Sequence, residues 1–416
     1  MTSEVSQAHP QQLFNPFAKD MVANPYAQYQ RLRSEDPVHW SSAINAWVLT
    51  RFDDVRAVLN DETFEAVETS KILAEVARKS GRDYGPIIRV LDATLFFKRG
   101  PEHRQSRRTI SKIVNRVPLR RLEPTIDDIA SSLAAKLSGR IAYDAVEEFA
   151  DPLPHLVMAH ILGLPPKDIP VLSEMLSDMT LIFDTVPMRT YDRINSKVAA
   201  ALDLLSSRIE EANQSPAESG LSIIYDGTSG SEKDRLADAA AMTLFTFRVG
   251  SETTMGLIGL LIHTLLDQPE LYRLARENPT LAPVIVSEVL RLESNVQRSL
   301  RVGQEPRLIG GKMIQPGERV LLLLGAANRD PITFVRPNDV SLESRAEQDV
   351  AFGGGGHFCL GASLARLEAR IALEHFLRLP PVERADEGKW YLGQSIHRLT
   401  QLPVRTIGDA SIGRSR

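Results

Sequence analysis

The sequence predicts a mainly α protein with small β-sheets, and three observations carry that prediction. Apolar residues recur at helical spacing through much of the chain; Leu360, Leu364, Leu367 and Ile371, at steps of four, three and four, are one example. Leu236 to Leu266 is apolar on nearly every side and, as one helix of about thirty residues, would be roughly 45 Å long, enough to cross the whole molecule. Short runs such as His39 to Ser42 and Ala46 to Arg51 read as small strands.

The 416 residues are 43% hydrophobic and 25% charged, with net charge −4, which is the balance of an ordinary globular protein and argues against disorder or binding to nucleic acid by overall charge. The length exceeds one ordinary core, yet no low-complexity linker divides it, so residues 1–416 are expected to form a single domain of intimately packed lobes, with about residues 1–20 loosely ordered. The first twenty residues hold no basic region followed by an apolar core, so neither a signal peptide nor a membrane anchor is expected, and the expected location is the cytoplasm. Leu236 to Leu266 carries Asp238, Arg248, Glu252 and His263, which makes it a poor membrane span and a good buried helix.

In chain order, Pro25 to Arg33 reads as a short amphipathic helix, followed by the two strands and a helix over Asp53 to Asp61. Phe64 to Leu95 has no strong period and reads as loop with short helices. Gly100 to Ile113 is a helix on which His103 and Arg107, four apart, share one face and can point donors at one anion. Lys98, Arg99, Arg104, Arg108, Lys112, Arg116, Arg120 and Arg121 surround them as a basic cluster, either a solvated face or a docking patch for an acidic partner. Pro118 to Leu137 and Leu153 to Leu164 are helices, the second ended by Pro165 and Pro166; Ile169 to Glu211 is helical with a break near Pro187; Asn213 to Asp234 is a surface connection.

Within the long helix lies VGSETT, Val249 to Thr254. Gly250, Thr253 and Thr254 are weak helix formers, so the hydrogen-bond ladder is a candidate to open there. Glu252 and Thr253 set a carboxyl beside a hydroxyl in apolar surroundings, where both must be hydrogen-bonded or used. Arg248 is costly there unless paired; it is either half of an internal ion pair or an anchor for a substrate carboxylate. Ser287 to Leu292 reads as helix with Glu288 and Arg291 three apart on one face. Residues 305–325 and Trp390 to Val404 read as short strands and turns.

Cys359 is the sole cysteine, so it forms no internal disulfide and no multi-cysteine metal site; packing, nucleophile or axial ligand to a cofactor metal remain. Gly353 to Gly356 precede it and allow tight turns and close approach to a flat ligand, while no Lys followed by Ser or Thr comes after them to make a phosphate loop. The cysteine starts a helix reaching about Leu379, whose positive end favours a thiolate.

Phe352, Gly353, Gly355, His357, Cys359 and Gly361 match, position by position, the cysteine-loop signature of the cytochrome P-450 family, and essentially the whole chain resembles its soluble bacterial members. The resemblance implies a large helical lobe and a small β-rich lobe, with haem b (iron protoporphyrin IX) between the long central helix and the cysteine loop. It implies Cys359 as the iron ligand, His103 and Arg107 on one propionate, Arg301 on the second, and His357, Phe352 and Gly353 as further cofactor contacts. VGSETT resembles the family's central-helix motif, with Val249 departing from the usual first position; this implies Glu252 and Thr253 as the catalytic pair that relays protons for dioxygen activation. Glu288, Arg291 and Arg345 would form the family's structural brace, Ile169 to Glu211 a lid, and Phe245, Arg248, Val249, Val296 and Ile396 walls of the substrate pocket.

The implied activity is insertion of one oxygen atom of dioxygen into a small organic substrate, by hydroxylation or O-dealkylation. No flavin or nicotinamide region fits in the length, so electrons are expected from a ferredoxin-type donor with its reductase, and neither nucleic acid nor membrane is an expected partner. A rival is a peroxide-driven peroxygenase, for which Arg248 would hold a fatty acid carboxylate and against which the Glu252 and Thr253 pair argues. Another is a catalytically silent haem-binding accessory protein.

Overall fold

The helix Glu232–Asp267 is the axis of the molecule in a computed structural model that describes residues 13–16, 24–184, 186–215, 217–343 and 349–408. Ser231 caps its start, its Oγ accepting from the Asp234 amide at 3.2 Å. Between Ala239 and Leu265 only Val249, Gly250, Thr253 and His263 keep partial exposure, because helices Gly85–Ala93, Pro152–Leu162, Met188–Asn213 and Ala362–Arg378 pack around it. Being wrapped on all sides is why its sequence is apolar on all sides. It is long and apolar enough to cross a membrane by length and composition, but in the fold it is a core helix. Gly250 lets Met158 pack closely, since a Cβ there would lie 2.6 Å from Met158 Sδ and that side chain would have to shift.

The small lobe is built on a five-stranded sheet in the order Val38–Ser41, Ala46–Leu49, Arg319–Leu323, Arg298–Gly303, Phe64–Ala66. Only the pairing of Ala46–Leu49 with Arg319–Leu323 is parallel. Helix Phe52–Asn60 covers the sheet and shares a core of Leu49, Val55, Val58, Val320 and Leu322 with it. The C-terminal strand Pro403–Thr406 returns to pair with Ala142–Asp144 and Val382–Arg384, which brings the end of the chain onto the helical lobe.

Four expectations change. Phe64 to Leu95 holds short helices as expected, Thr69–Ser80 and Gly85–Ala93, but less loop than expected, and it adds the strand Phe64–Ala66 to the sheet. Asn213 to Asp234 is not merely a connection, since helix Gly220–Asp226, with a capping box between Ser219 and Ser222, buries Leu221 and Ile224. The ladder of the central helix does not open at VGSETT; the hydroxyls of Thr253 and Thr254 instead bond back to the carbonyls of Val249 and Gly250, at 2.9 and 3.1 Å. Of the N-terminal segment, residues 1–12 and 17–20 lie outside the described residues, but Phe14 is fully buried against Tyr29, Leu32 and Leu323.

Candidate active site

The cysteine loop is closed by its own backbone. Gly353 N–H donates to Val350 O, Phe358 N–H to Gly355 O and Cys359 N–H to Phe352 O, at 2.9, 3.1 and 3.1 Å. Gly353 and Gly355 have φ of 71° and 59°, a region L side chains rarely enter. The glycines do not all serve close approach to a ligand, as the sequence suggested. A Cβ at Gly355 would lie 2.4 Å from Leu59 O, so this glycine seats the loop on helix Phe52–Asn60, whereas a Cβ at Gly353 would meet nothing within 4 Å. Arg107 Nη1 donates to Phe358 O at 3.0 Å, and the Arg366 guanidinium stacks 4.4 Å from the Phe352 ring.

Cys359 precedes helix Ala362–Arg378 and its side chain is exposed. Enough protein surrounds it that burial pushes its thiol up, against the pull of the Gly361 amide, the Arg107 and Arg366 guanidiniums and the Ala362 amide. The helix start therefore favours the thiolate in direction but does not secure it alone. A soft cation on the sulfur would.

Beside the loop four basic groups converge. The His103 and His357 rings lie 4.2 Å apart, and His103 Nε2 is buried without a partner. Burial lowers the His103 pKa, with Arg107 and Arg104 adding to it; burial, then Arg301, His103 and Arg107, push His357 down to about 4. Arg301 is 3% exposed, and burial lowers it to about 10. Its Nη1 donates to Ser299 Oγ at 2.7 Å and Leu300 O at 3.0 Å. Among the described residues none of His103, Arg107, Arg301 and His357 pairs with a carboxylate. Arg301 is a buried cation with no counter-charge among the described residues, which is costly, so the cluster fits an added anionic group.

The polar patch on the central helix is arranged oppositely. Glu252, 1% exposed, takes every bond on one oxygen: Oε1 accepts from Arg398 Nε and Nη2 at 3.1 and 2.9 Å and Thr180 Oγ1 at 2.9 Å, and pairs with Arg248 Nη2 at 2.6 Å. Thr180 Oγ1 also lies 3.0 Å from Tyr391 Oη. Of the two roles the sequence left open for Arg248, the structure fits the internal ion pair: it is 3% exposed and paired with Glu252 one turn on rather than standing free as a pocket wall. Glu252 and Thr253 leave the helix on neighbouring faces. Thr253 continues the stripe of Phe245 and Val249 at steps of four, and it retains exposure where Glu252 does not.

Val296 and Ile396 meet in an antiparallel bridge. Glu288 and Arg291 are fully buried, Arg291 Nε and Nη2 donating to Glu288 at 3.1 and 2.9 Å and its remaining N–H groups to carbonyls that include Asn328, Pro337 and Asp339. Arg345 lies outside the described residues. Sequence reasoning did not reach Arg398, Thr180, His155 or Asp184. Asp184, in the segment read as a lid, accepts from Arg298 Nη2, the Gln394 and Ser395 amides and Ser395 Oγ at 2.7 to 3.1 Å, tying that segment to the C-terminal hairpin. Arg398 lies just before the strand Leu399–Gln401, among polar neighbours that give no sign of its burial.

An exposed cysteine on a glycine loop, beside the buried Arg301 and the partly buried Arg107 with no carboxylate partner for either among the described residues, has the donor set of a haem-thiolate site. The chain belongs to the cytochrome P450 family, whose family model matches residues 169–387. It is 31% identical over 394 residues to "Biotin biosynthesis cytochrome P450" of Bacillus subtilis (strain 168), covering 93% of this chain and 97% of the relative. It is also 31% identical to "Vitamin D(3) 25-hydroxylase" of Pseudonocardia autotrophica over 404 residues, covering 95% and 96%. Among solved structures it resembles P450BioI in complex with a hexadec-9Z-enoic acid ligated acyl carrier protein, with TM-score 0.85, 31% identity and coverage of 92% of this chain and 99% of that one. The protein is therefore a haem-binding enzyme of the bacterial P450 monooxygenase family, and the propionates of haem are anions of the kind the cationic cluster requires.

Proposed function

We propose that this chain inserts one oxygen atom of dioxygen into a small, neutral, largely apolar substrate, by hydroxylation or O-dealkylation, with electrons from a ferredoxin-type protein and its reductase in the cytoplasm. The observation that supports it best is the cluster of His103, Arg107, Arg301 and His357 beside the Cys359 loop, with no carboxylate among the described residues to satisfy it. In this reading Cys359 ligates the iron, the four basic groups hold the propionates, and Phe352 and Gly353 border the cofactor. When bound, haem supplies dioxygen activation and oxidation of the substrate.

The chain's own residues supply protons, position and selectivity. Arg248, Arg398 and Thr180 fix Glu252 through Oε1 and leave Oε2 free to hold or pass a proton, with the Thr253 hydroxyl as the next donor toward the open face of the helix. Phe245, Val249, Val296 and Ile396 make the candidate wall apolar, and because Arg248 is taken by Glu252 that wall offers no free cation. This weakens the peroxygenase alternative, which needed Arg248 for a fatty acid carboxylate. Arg104, Arg108, Lys112, Arg116, Arg120 and Arg121 are exposed and make no ion pair among the described residues, which suits docking of an acidic electron donor; Arg99 is instead paired with Glu65 at 2.8 Å, and Lys98 donates to Ser106 Oγ at 3.0 Å.

Reduced, carbon monoxide-treated protein should show the red-shifted absorption of a sulfur-ligated haem, and Cys359→Ala should lose it. Product should form with ferredoxin, reductase and dioxygen and not with peroxide alone. A spectrum unchanged by Cys359→Ala, or turnover with peroxide only, overturns the reading.

A further inference from the structure

We infer that one buried water joins His155 to Glu252 and Arg248, and that His155 is thereby a positioning residue for the oxygen of Glu252 that handles protons. The inference rests on the role proposed above for Glu252 and extends it to a residue on another helix, Pro152–Leu162, outside the family signatures named in the sequence.

Three buried polar atoms have no partner among the described residues: Glu252 Oε2, Arg248 Nε and His155 Nε2. Arg248 and Glu252 are one turn apart and paired through their other atoms. His155 packs its ring 5.5 Å from that of Phe247, the residue before Arg248, and lies within electrostatic range of both Arg248 and Glu252. Its own protonation pattern follows from geometry. Nδ1 sits 2.7 Å from the Asp151 carbonyl, which can only accept, so Nδ1 carries the hydrogen and Nε2 of the neutral ring is an acceptor. Burial, the largest influence on this ring, favours the neutral form.

The hydrogen-bond requirements then close on a single molecule. Oε2 and Nε2 each need a donor, and the Arg248 Nε–H needs an acceptor. One water donates twice and accepts once, which is the usual three-bond pattern of a buried water. Direct bonds cannot do the same, since Oε2 and Nε2 are both acceptors and the single Nε–H of Arg248 can serve only one of them. With Oε1 saturated by four donors, this water is what keeps Oε2 aimed and hydrogen-bonded between proton transfers. Without it, Oε2 loses the hydrogen bond that fixes its position.

The test uses the haem-loaded enzyme. A crystal structure should show a water within hydrogen-bond distance of all three atoms, absent in His155→Phe and restored in His155→Gln, whose amide again offers an acceptor. The share of electrons lost as hydrogen peroxide should rise severalfold in His155→Phe and return toward the wild-type value in His155→Gln. Substrate dissociation constant, read from the spectral shift on binding, should stay unchanged in both. An ordered wild-type site with no water between the three atoms overturns the inference whether or not either variant folds. A fully coupled His155→Phe alongside an uncoupled Thr253→Ala overturns it and leaves the proposed function standing. Full coupling in both overturns the Glu252 and Thr253 reading as well.

Discussion

Two groups of buried arginines and histidines lie in this protein, and they differ in what answers their charge. Around Glu252, Arg248 and Arg398 find a carboxylate inside the fold, with Thr180 adding a fourth donor. Around His357, the groups His103, Arg107 and Arg301 find only backbone, hydroxyl and each other among the described residues, and His357 is held down at about 4, by burial first and then by its basic neighbours. Both look alike as residue types. In the first the positive charge is answered by a carboxylate of the chain, in keeping with the proton path proposed above; in the second, among the described residues, it is not, in keeping with the proposed propionate contacts. A cation in a core is thus informative only once its counter-charge is located.

The largest effect should come from removing the one carboxylate that two cations share. Glu252→Leu leaves two buried guanidiniums facing each other and should destabilise the holoenzyme by about 3–5 kcal/mol in urea unfolding. Arg248→Met leaves a one-to-one Arg398 and Glu252 pair and should cost far less. If the two variants are equally destabilised, the network does not act through charge balance.

The cationic cluster should respond with the opposite sign. Arg301→Leu removes a cation that lacks a carboxylate, so the haem-free protein should unfold at an unchanged or higher urea concentration. Haem affinity should fall about 10–100-fold, the value of a charge-assisted hydrogen bond, measured by transfer of haem to apomyoglobin. Unchanged haem affinity would remove Arg301 from the cofactor site. Acid should expose the same contrast more weakly. Because the folded protein holds His357 at about 4, below its ordinary value, the unfolded chain takes up that proton first as the pH drops. Haem-free stability should therefore be level above about pH 6.5 and decline from there toward pH 4. Haem should lessen the decline, since its propionates favour the imidazolium; equal decline with and without haem would separate His357 from the propionates.

How much of this was legible in the sequence depended on distance along the chain. The cysteine loop and the His103 and Arg107 pair are local patterns and could be read directly, as could the strands and the long helix. The pair of Arg248 and Glu252 was legible as well, at a spacing of four, although the sequence left a substrate role open. Arg398 and Thr180 reach Glu252 from 146 and 72 residues away, and nothing in their neighbourhoods names the partner. Helix Thr69–Ser80 fell within a stretch read as loop with short helices but could not be bounded, because Ser70, Leu73 and Ala77 form its buried face, and serine and alanine give almost no apolar period. Helix Gly220–Asp226 spans about two turns, too few to repeat a pattern.

The exposed cations of helix Gly100–Val114 give the smallest effect and a third term of comparison. Arg108 and Lys112 stand in water, so each contributes at most about 1 kcal/mol to any partner, and that contribution is screened by salt. Arg108→Glu should slow reduction by a ferredoxin about two- to fivefold at low ionic strength. The difference should vanish near 1 M salt, where charges a few ångströms apart no longer sense each other. Haem content and stability should not change, which sets this helix's outer face apart from its inner one, where His103 is buried. A rate insensitive to both salt and charge reversal would mean that the electron donor docks elsewhere, and the outer face would then be a solvated helix surface beside the haem site.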